Sequence, residues 1–244
     1  MKIVATIEAR MNSSRLPGKV LLPVQERPIL GILIERLRKV KLINEIVVAT
    51  TSSKSDDIIV DFCKENNVKV FRGSEEDVMG RVIGAAESVL GDVIVEITGD
   101  CPLIDPSVVD QFITIFLANK AEYVSNSIVR SYPDGMDVQV FSLEILKKSY
   151  KLTNEKLDRE HVTLHIRNNP NLFSHLNIIA PPEIYYPELG LTLDEKDDYI
   201  LISKIFENLY SSDKFFSCHE IVKYLEKNKD LYLINKHVKR KNNT

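Results

Sequence analysis

Residues 9–19 read Ala-Arg-Met-Asn-Ser-Ser-Arg-Leu-Pro-Gly-Lys, directly behind the short apolar run Ile3-Val4-Ala5-Thr6-Ile7. The run reads as a first β-strand, so Arg10, Arg15, Lys19, two serines and a glycine stand on the loop that leaves it. In an open α/β sheet, ligands bind outside the carboxyl ends of the strands. A loop of this make-up offers backbone donors and fixed positive charge to an anion, and a polyphosphate is the expected one. It matches neither the P-loop pattern nor G-x-G-x-x-G, which weighs against a P-loop ATPase and a dinucleotide-binding enzyme. The competing reading is a solvated basic turn. The position behind the first strand and the Leu-Pro-Gly-Lys ending argue against it.

Outward from this loop, short β-branched runs at 3–7, 46–49, 68–71 and 93–97 alternate with helical patterns. Pro28 suits a helix first turn, and Leu30, Leu33, Ile34 and Leu37 follow at helical spacing. Ser55-Asp56-Asp57 makes a capped, acidic start for a second helix carrying Ile58, Ile59 and Phe62. Val82, Ala85, Ala86 and Val89 mark a third, and Val108, Val109, Phe112, Ile113 and Phe116 a fourth. This alternation predicts βαβ crossovers and an α/β domain with a mostly parallel sheet.

Beyond residue 120 the pattern changes. Strands are expected at 123–126, 138–141 and 173–180, with a polar helix holding Asp158, Arg159, Glu160, His161 and His165 between the last two. Residues 122–182 thus read as a smaller inserted lobe on the substrate side. Residues 191–193 are expected to return to the sheet ahead of a helix over 199–209. Ser217 and Glu220 form a capping box for the last helix. The organisation predicted is one domain over 1–244, with a C-terminal helix and basic tail over about 211–244.

Charge is nearly balanced, 32 Lys+Arg against 35 Asp+Glu, so no overall field points to nucleic acid or membrane. The Lys-rich end, 236–241, reads as a solvated tail in preference to a binding arm. Cys63, Cys101 and Cys218 have no metal spacing and an odd count, which suits a reducing compartment. Without a signal-peptide pattern or a membrane-length apolar run, a cytoplasmic location is expected.

The motif Arg10-x-x-x-Ser14-Arg15-Leu-Pro-Gly-Lys19 resembles the nucleotide-binding signature of the CTP-dependent cytidylyltransferases. That family includes 3-deoxy-manno-octulosonate cytidylyltransferase, CMP-N-acylneuraminate synthetase and spore-coat polysaccharide proteins of the SpsF type. Arg72-Gly-Ser-Glu-Glu-Asp-Val78, Thr98-Gly-Asp-Cys-Pro-Leu-Ile-Asp105 and Leu193-Asp-Glu-Lys-Asp-Asp-Tyr199 agree with the SpsF-type branch, and the likeness runs to about residue 210. It implies a three-layer, Rossmann-like nucleotidyltransferase fold, Mg²⁺ as cofactor, a homodimer paired through the middle lobe, and CTP with a small sugar-like acceptor as partners.

Nucleotidyl transfer needs a straightened triphosphate, a divalent metal and an in-line acceptor oxygen. Arg10 and Lys19 are the candidates for the β- and γ-phosphates, with Ala9, Ser14 and the loop amides adding hydrogen bonds. Arg15 either joins them or pairs with an acidic neighbour and stiffens the loop. Asp100, reached through Thr98-Gly99, and Asp194 each follow a strand end, and two such carboxylates facing a triphosphate suit Mg²⁺. Each could instead cap a following helix; matching metal ligands in the resembled enzymes favours the metal. Asp105 is the expected helix cap, and Asp197 and Asp198 either support the metal or begin their helix.

In the resembled enzymes the region of Arg72, Gly73 and Ser74 holds the pyrimidine, with Arg81 a second candidate there. The acceptor is expected at Tyr132, Asp134, Asp137, Arg159 and His161. His161 and His165, four apart, lack a third zinc ligand, so zinc is rejected. The leading expectation is an enzyme that moves CMP from CTP to a sugar acid for surface glycan assembly, releasing pyrophosphate. The alternatives are a nucleotidyltransferase acting on a sugar phosphate or polyol phosphate, and a non-catalytic nucleotide-binding module.

Overall fold

The computed structural model describes residues 1–211 and 213–240. In chain order the elements of the first half are β1 (Ile3–Glu8), a small hairpin of β2 (Pro23–Val24) and β3 (Arg27–Pro28), α1 (Ile29–Leu37) and β4 (Glu45–Thr51). Next come α2 (Asp57–Glu65), β5 (Lys69–Gly73), α3 (Val78–Ser88), β6 (Val93–Thr98) and α4 (Pro106–Ala118). The second half adds β7 (Tyr123–Ser125), β8 (Gln139–Ser142), α5 (Leu143–Leu152), α6 (Lys156–Glu160), α7 (Leu164–Asn168), β9 (His175–Asn177), α8 (Lys196–Leu209), α9 (Cys218–Lys227) and α10 (Lys229–Tyr232).

One seven-stranded sheet runs in the order β5-β4-β1-β6-β8-β7-β9. All of its pairings are parallel except those of β8, which runs against both β6 and β7. The odd residues of β1 (Ile3, Ala5, Ile7) face one layer, built with α1, α2, α4, α8 and α9. Val4, from the even set, meets Ala85 of α3 and Val89 just beyond its end on the opposite layer. Period-two alternation of side chains thus feeds a core on each face, and the result is a three-layer α/β sandwich.

Residues 122–182 do not make a sheet of their own; β7, β8 and β9 prolong the main one. Their smaller lobe lies in α5–α7, whose Leu146, Val162 and Ile166 share a cluster with Met79 and Val82 of α3 and with Tyr123, Phe141 and Phe173. Residues 191–193 do not return to the sheet. Leu191 N–H donates to Asp134 O and Leu193 N–H to Asp100 O, so the segment is tied to loops at the sheet edge. The polar helix expected around 158–165 is two short helices, because Thr163 Oγ1 donates to Gln139 Oε1 of β8 at 2.5 Å and draws the chain inward between them. The C-terminus is no solvated tail up to residue 240: Asn235 and Val238 are buried, and Arg240 folds back onto the sheet edge. Lys241 lies outside the described residues. All three cysteines are buried free thiols. Among the described residues no helix is long and apolar enough to cross a membrane.

Candidate active site

The parallel register sets Glu8 level with Ala49 and with Thr98, so the loops after β1, β4 and β6 leave the sheet at one edge. The β6 loop lies tight against β1. Gly99 N–H donates to Glu8 O at 2.9 Å, and a Cβ on Gly99 would sit 2.5 Å from that same oxygen. Only glycine lets Asp100 follow at this height.

Loop 9–19 is held by its own backbone and by one buried carboxylate. Ser13 and Gly18 N–H both donate to Met11 O, and Gly18 adopts φ +74°. Met11 N–H donates to Asp56 Oδ1, while Asp56 Oδ2 accepts from Thr50 and Thr51. Asp56 therefore does not cap α2 with its side chain, as the sequence suggested; it bolts the loop to β4.

The loop ends with Lys19, and its ammonium sits between two carboxylates. Lys19 Nζ is 2.5 Å from Asp100 Oδ2 and 3.1 Å from Asp194 Oδ1, and it also donates to Leu193 O. Burial works against charge on Lys19, but Asp100 and Asp194 outweigh it and hold the ammonium above its ordinary range. Burial likewise opposes the Asp100 charge, and Lys19 pulls that carboxyl below the usual range. Arg15 Nη2 lies 2.7 Å from Asp194 Oδ1, so of its two expected roles the pairing with an acidic neighbour is the one seen.

A cleft of about 270 Å³ opens here, lined by Ala9, Arg10, Ser14, Arg15, Lys19, Arg81, Thr98, Asp100, Glu160, His161 and Asp194, with Glu8 at its floor. Arg81, the second candidate for the pyrimidine, does line this cleft. It is buried, donating Nε–H to Ala49 O and Nη1–H to Ser74 O. Arg10 stays half exposed beside Glu75, 3.4 Å away. It also borders a second cavity of about 660 Å³ with Glu75, Asp77, Tyr150, Arg159 and Glu160. There the Arg159 guanidinium lies 3.3 Å over the Tyr150 ring and donates to Tyr150 O and Thr153 O; its buried Nη1 has no hydrogen-bond partner.

Other expected residues fall elsewhere. Arg72 spends its guanidinium on Thr51 O, Ser53 O and Asp57, so the side chain secures the β4–α2 turn and does not line the cleft, nor do Gly73 and Ser74. Tyr132 is a core residue packed edge-on to Phe112. Asp137 is enclosed near Asp134, and burial followed by that neighbour pushes its carboxyl up to about 7. Asp134 lies 3.4 Å from Arg130 and 3.8 Å from Arg240. Asp105 caps α4 as expected, and Asp198 completes a capping box with Glu195.

Glu8 and Arg240 were not foreseen. Glu8 is an acid at the last position of a central strand, which is a signal in itself. Burial and then Glu96 raise its carboxyl well above the usual range. Arg240 carries no local signal.

Asp100 and Asp194 already share one cation, the Lys19 ammonium, which shows that their oxygens converge on a single point of positive charge. Among the described residues no group of three or more His, Cys, Asp or Glu is set to hold a metal. Magnesium on a nucleotide takes one or two carboxylates and completes its shell with phosphate oxygens and water, so the pair fits that ion.

The sequence profile of the cytidylyltransferase family matches residues 4–241. The spore coat polysaccharide biosynthesis protein SpsF of Bacillus subtilis is 34% identical over 93% of this chain and 95% of its own. The 3-deoxy-manno-octulosonate cytidylyltransferase of Geobacter metallireducens is 33% identical over 119 residues, 49% of this chain and 46% of its own. Among solved structures, a cytidylyltransferase from Leptospira borgpetersenii superposes with a TM-score of 0.89 at 35% identity, over 95% of this chain and 97% of that one.

Proposed function

The chain belongs to the cytidylyltransferase family and is a CTP-dependent nucleotidyltransferase, and from that premise we propose that it transfers CMP from CTP to a sugar acid. An acceptor hydroxyl oxygen bonds to the α-phosphorus, the bond from that phosphorus to the β-bridging oxygen breaks, and pyrophosphate leaves with the electron pair. The hydroxyl proton passes to solvent. The observation that carries this is the convergence of Lys19, Asp100 and Asp194 in a cleft walled by loop 9–19.

In this reading Arg10, Ser14, Lys19 and the loop amides hold the β- and γ-phosphates, and Arg15 both stiffens the loop and meets the anion. Arg81 and Thr98 border the nucleoside. Asp100 and Asp194 would hold Mg²⁺, whose chemistry is to neutralise charge on the reacting phosphates. Preorganised charge of this kind supplies most of the catalysis in phosphoryl chemistry. The acceptor lies toward Arg159 and His161; Arg159 Nη1 faces Asp77 Oδ1 at 3.9 Å without a hydrogen bond, and a substrate carboxylate would compete with Asp77 for it. An eight- or nine-carbon 2-keto-3-deoxy acid for surface glycan assembly is the class favoured, in keeping with the octulosonate relative.

A cytoplasmic homodimer completes the proposal. Here β9 is a sheet edge, and the exposed Ile128, Val129, Leu172 and Ile179 lie near it. Ile128, Val129 and Ile179 belong to the stretches 123–141 and 173–180, whose Tyr123, Phe141 and Phe173 are internal.

The deciding experiment is pyrophosphate release from each of the four ribonucleoside triphosphates with a panel of sugar acids, sugar phosphates and polyol phosphates. CTP with a sugar acid alone should react. Turnover only with a phosphorylated acceptor would replace the acceptor class, and none with any pair would leave a binding module.

A further inference from the structure

Behind Asp194, on the side away from Lys19, a guanidinium arrives from the far end of the chain. Arg240 grips Asp198 with both forks: Nη1–H donates to Oδ2 at 3.0 Å and Nη2–H to Oδ1 at 2.7 Å. Asp198 is fully buried, and its Oδ2 also accepts from the backbone N–H of Asp194 and of Glu195. Arg240 Nη1 lies 3.7 Å from Asp194 Oδ2, the oxygen that neither Lys19 nor Arg15 takes. Its Nε lies 3.8 Å from Asp134.

Three further contacts seat the same segment. Asn235 Nδ2 donates both to Asp198 Oδ1 and to Gly190 O, and Arg15 donates to Lys239 O. A side chain at residue 190 would overlap the Arg240 guanidinium, so this glycine leaves the space that the guanidinium fills. Bidentate pairing with a buried carboxylate is the geometry in which arginine is hardest to replace.

We propose that Arg240 is a positioning residue of the active site: through Asp198 it fixes the turn carrying Asp194 and sets the orientation of that carboxylate toward a divalent cation. The proposal rests on the assignment of Asp194 to the metal. Two observations separate it from a simple clasp on the C-terminus. The oxygen it faces belongs to Asp194 itself, and the segment touches Arg15 of the nucleotide loop as well. A residue that orients a ligand acts on metal affinity, and losing such a group costs about ten- to a hundredfold.

The test is calorimetric titration of Mn²⁺ into the CTP-loaded full chain, with melting temperatures recorded alongside. Arg240→Ala should weaken Mn²⁺ binding at least tenfold, and Arg240→Lys should restore only part, because an ammonium cannot span both Asp198 oxygens. Gly190→Ala keeps the arginine but denies it space, and should reproduce the Arg240→Ala loss. Unchanged Mn²⁺ affinity in Arg240→Ala, or in Gly190→Ala should the first variant fail to fold, overturns the inference whatever happens to the melting temperature. A wild-type chain that takes up no Mn²⁺ with CTP overturns the metal assignment and the inference together.

Discussion

The two walls of the cleft are made in opposite ways. One is the single stretch 9–19, whose cations, serines and glycine stand within eleven residues and whose backbone turns back on itself through the N–H groups of Ser13, Gly18 and Lys19. The other joins Asp100, the 190–198 segment, Asp134 and the 235–240 segment, pieces that meet only in the folded chain. A contiguous wall announces itself in composition. A wall assembled from distant pieces is legible only in part: Asp100 and Asp194 stand in motifs behind apolar runs, whereas nothing local to Asp134 or Arg240 says that they meet there.

The comparison is broken most directly on the acidic wall. Asp100→Asn or Asp194→Asn should lower turnover by about two to four orders of magnitude at saturating Mg²⁺, since a metal ligand is worth several kcal/mol in the transition state. Circular dichroism should show the fold intact, and near-normal turnover in either variant would remove that residue from the metal site. The basic wall should give a smaller effect. Lys19→Ala is expected to weaken CTP binding about ten- to a hundredfold, as the loss of one charge-assisted contact of about 1.5–3 kcal/mol. Calorimetry showing equal affinity would mean the loop holds the phosphates without it.

A third change probes the space where the two walls open outward. Arg159→Ala should raise the acceptor KM about tenfold and leave that of CTP nearly unchanged. Equal shifts in both would place the acidic group of the acceptor elsewhere.

The smallest effect belongs to the buried carboxyls under the cleft floor. Burial pushes Glu96 up to about 7, with Glu8 as its neighbour. Between about pH 4.5 and 7 the unfolded chain has then already lost a proton that the folded chain keeps, so stability falls as pH rises through this window. The melting temperature should drop by a few degrees from pH 5 to 8, and Glu96→Gln should flatten that slope. An unaltered slope in the variant would assign the effect to Glu8 or Asp137.

The legible part of the fold is the part with strong periodicity. Each of the four strands and four helices expected in the first half is present, within about two residues at most ends. Helix α5 went unread although Leu143, Leu146 and Tyr150 are helically spaced behind Ser142, which caps it. Residues 191–193 look like a strand because Leu191 and Leu193 flank the β-branched Thr192, and all three are buried. Their hydrogen bonds go to loops, a choice that periodicity does not record. In the cleft, Lys19, Asp100 and Asp194 were read from strand-end position and motif. Arg72, implied by the resemblance, and Tyr132, suggested by residue type, lie elsewhere, since an arginine that braces a turn and a tyrosine that fills a core have the same local sequence as ones that bind. Arg240 lay where a run of lysines suggested solvent.

The three buried thiols give the protein an internal set of clocks. Burial alone pushes Cys63 up to about 12; burial and then Asp105 do the same for Cys218, while burial and Asp100 keep Cys101 a thiol far beyond neutral pH. A thiol-directed reagent at neutral pH therefore has almost no thiolate to attack while the chain stays closed. Labelling at Cys63 times the opening of α2 from the sheet, and at Cys218 the lifting of α9. Cys101 stands against Thr98 and Thr192 beside Asp100, so its labelling times the parting of the 190–198 segment from the loop after β6. One wild-type sample with mass-spectrometric readout thus separates site opening from global unfolding, with no probe engineered into the chain.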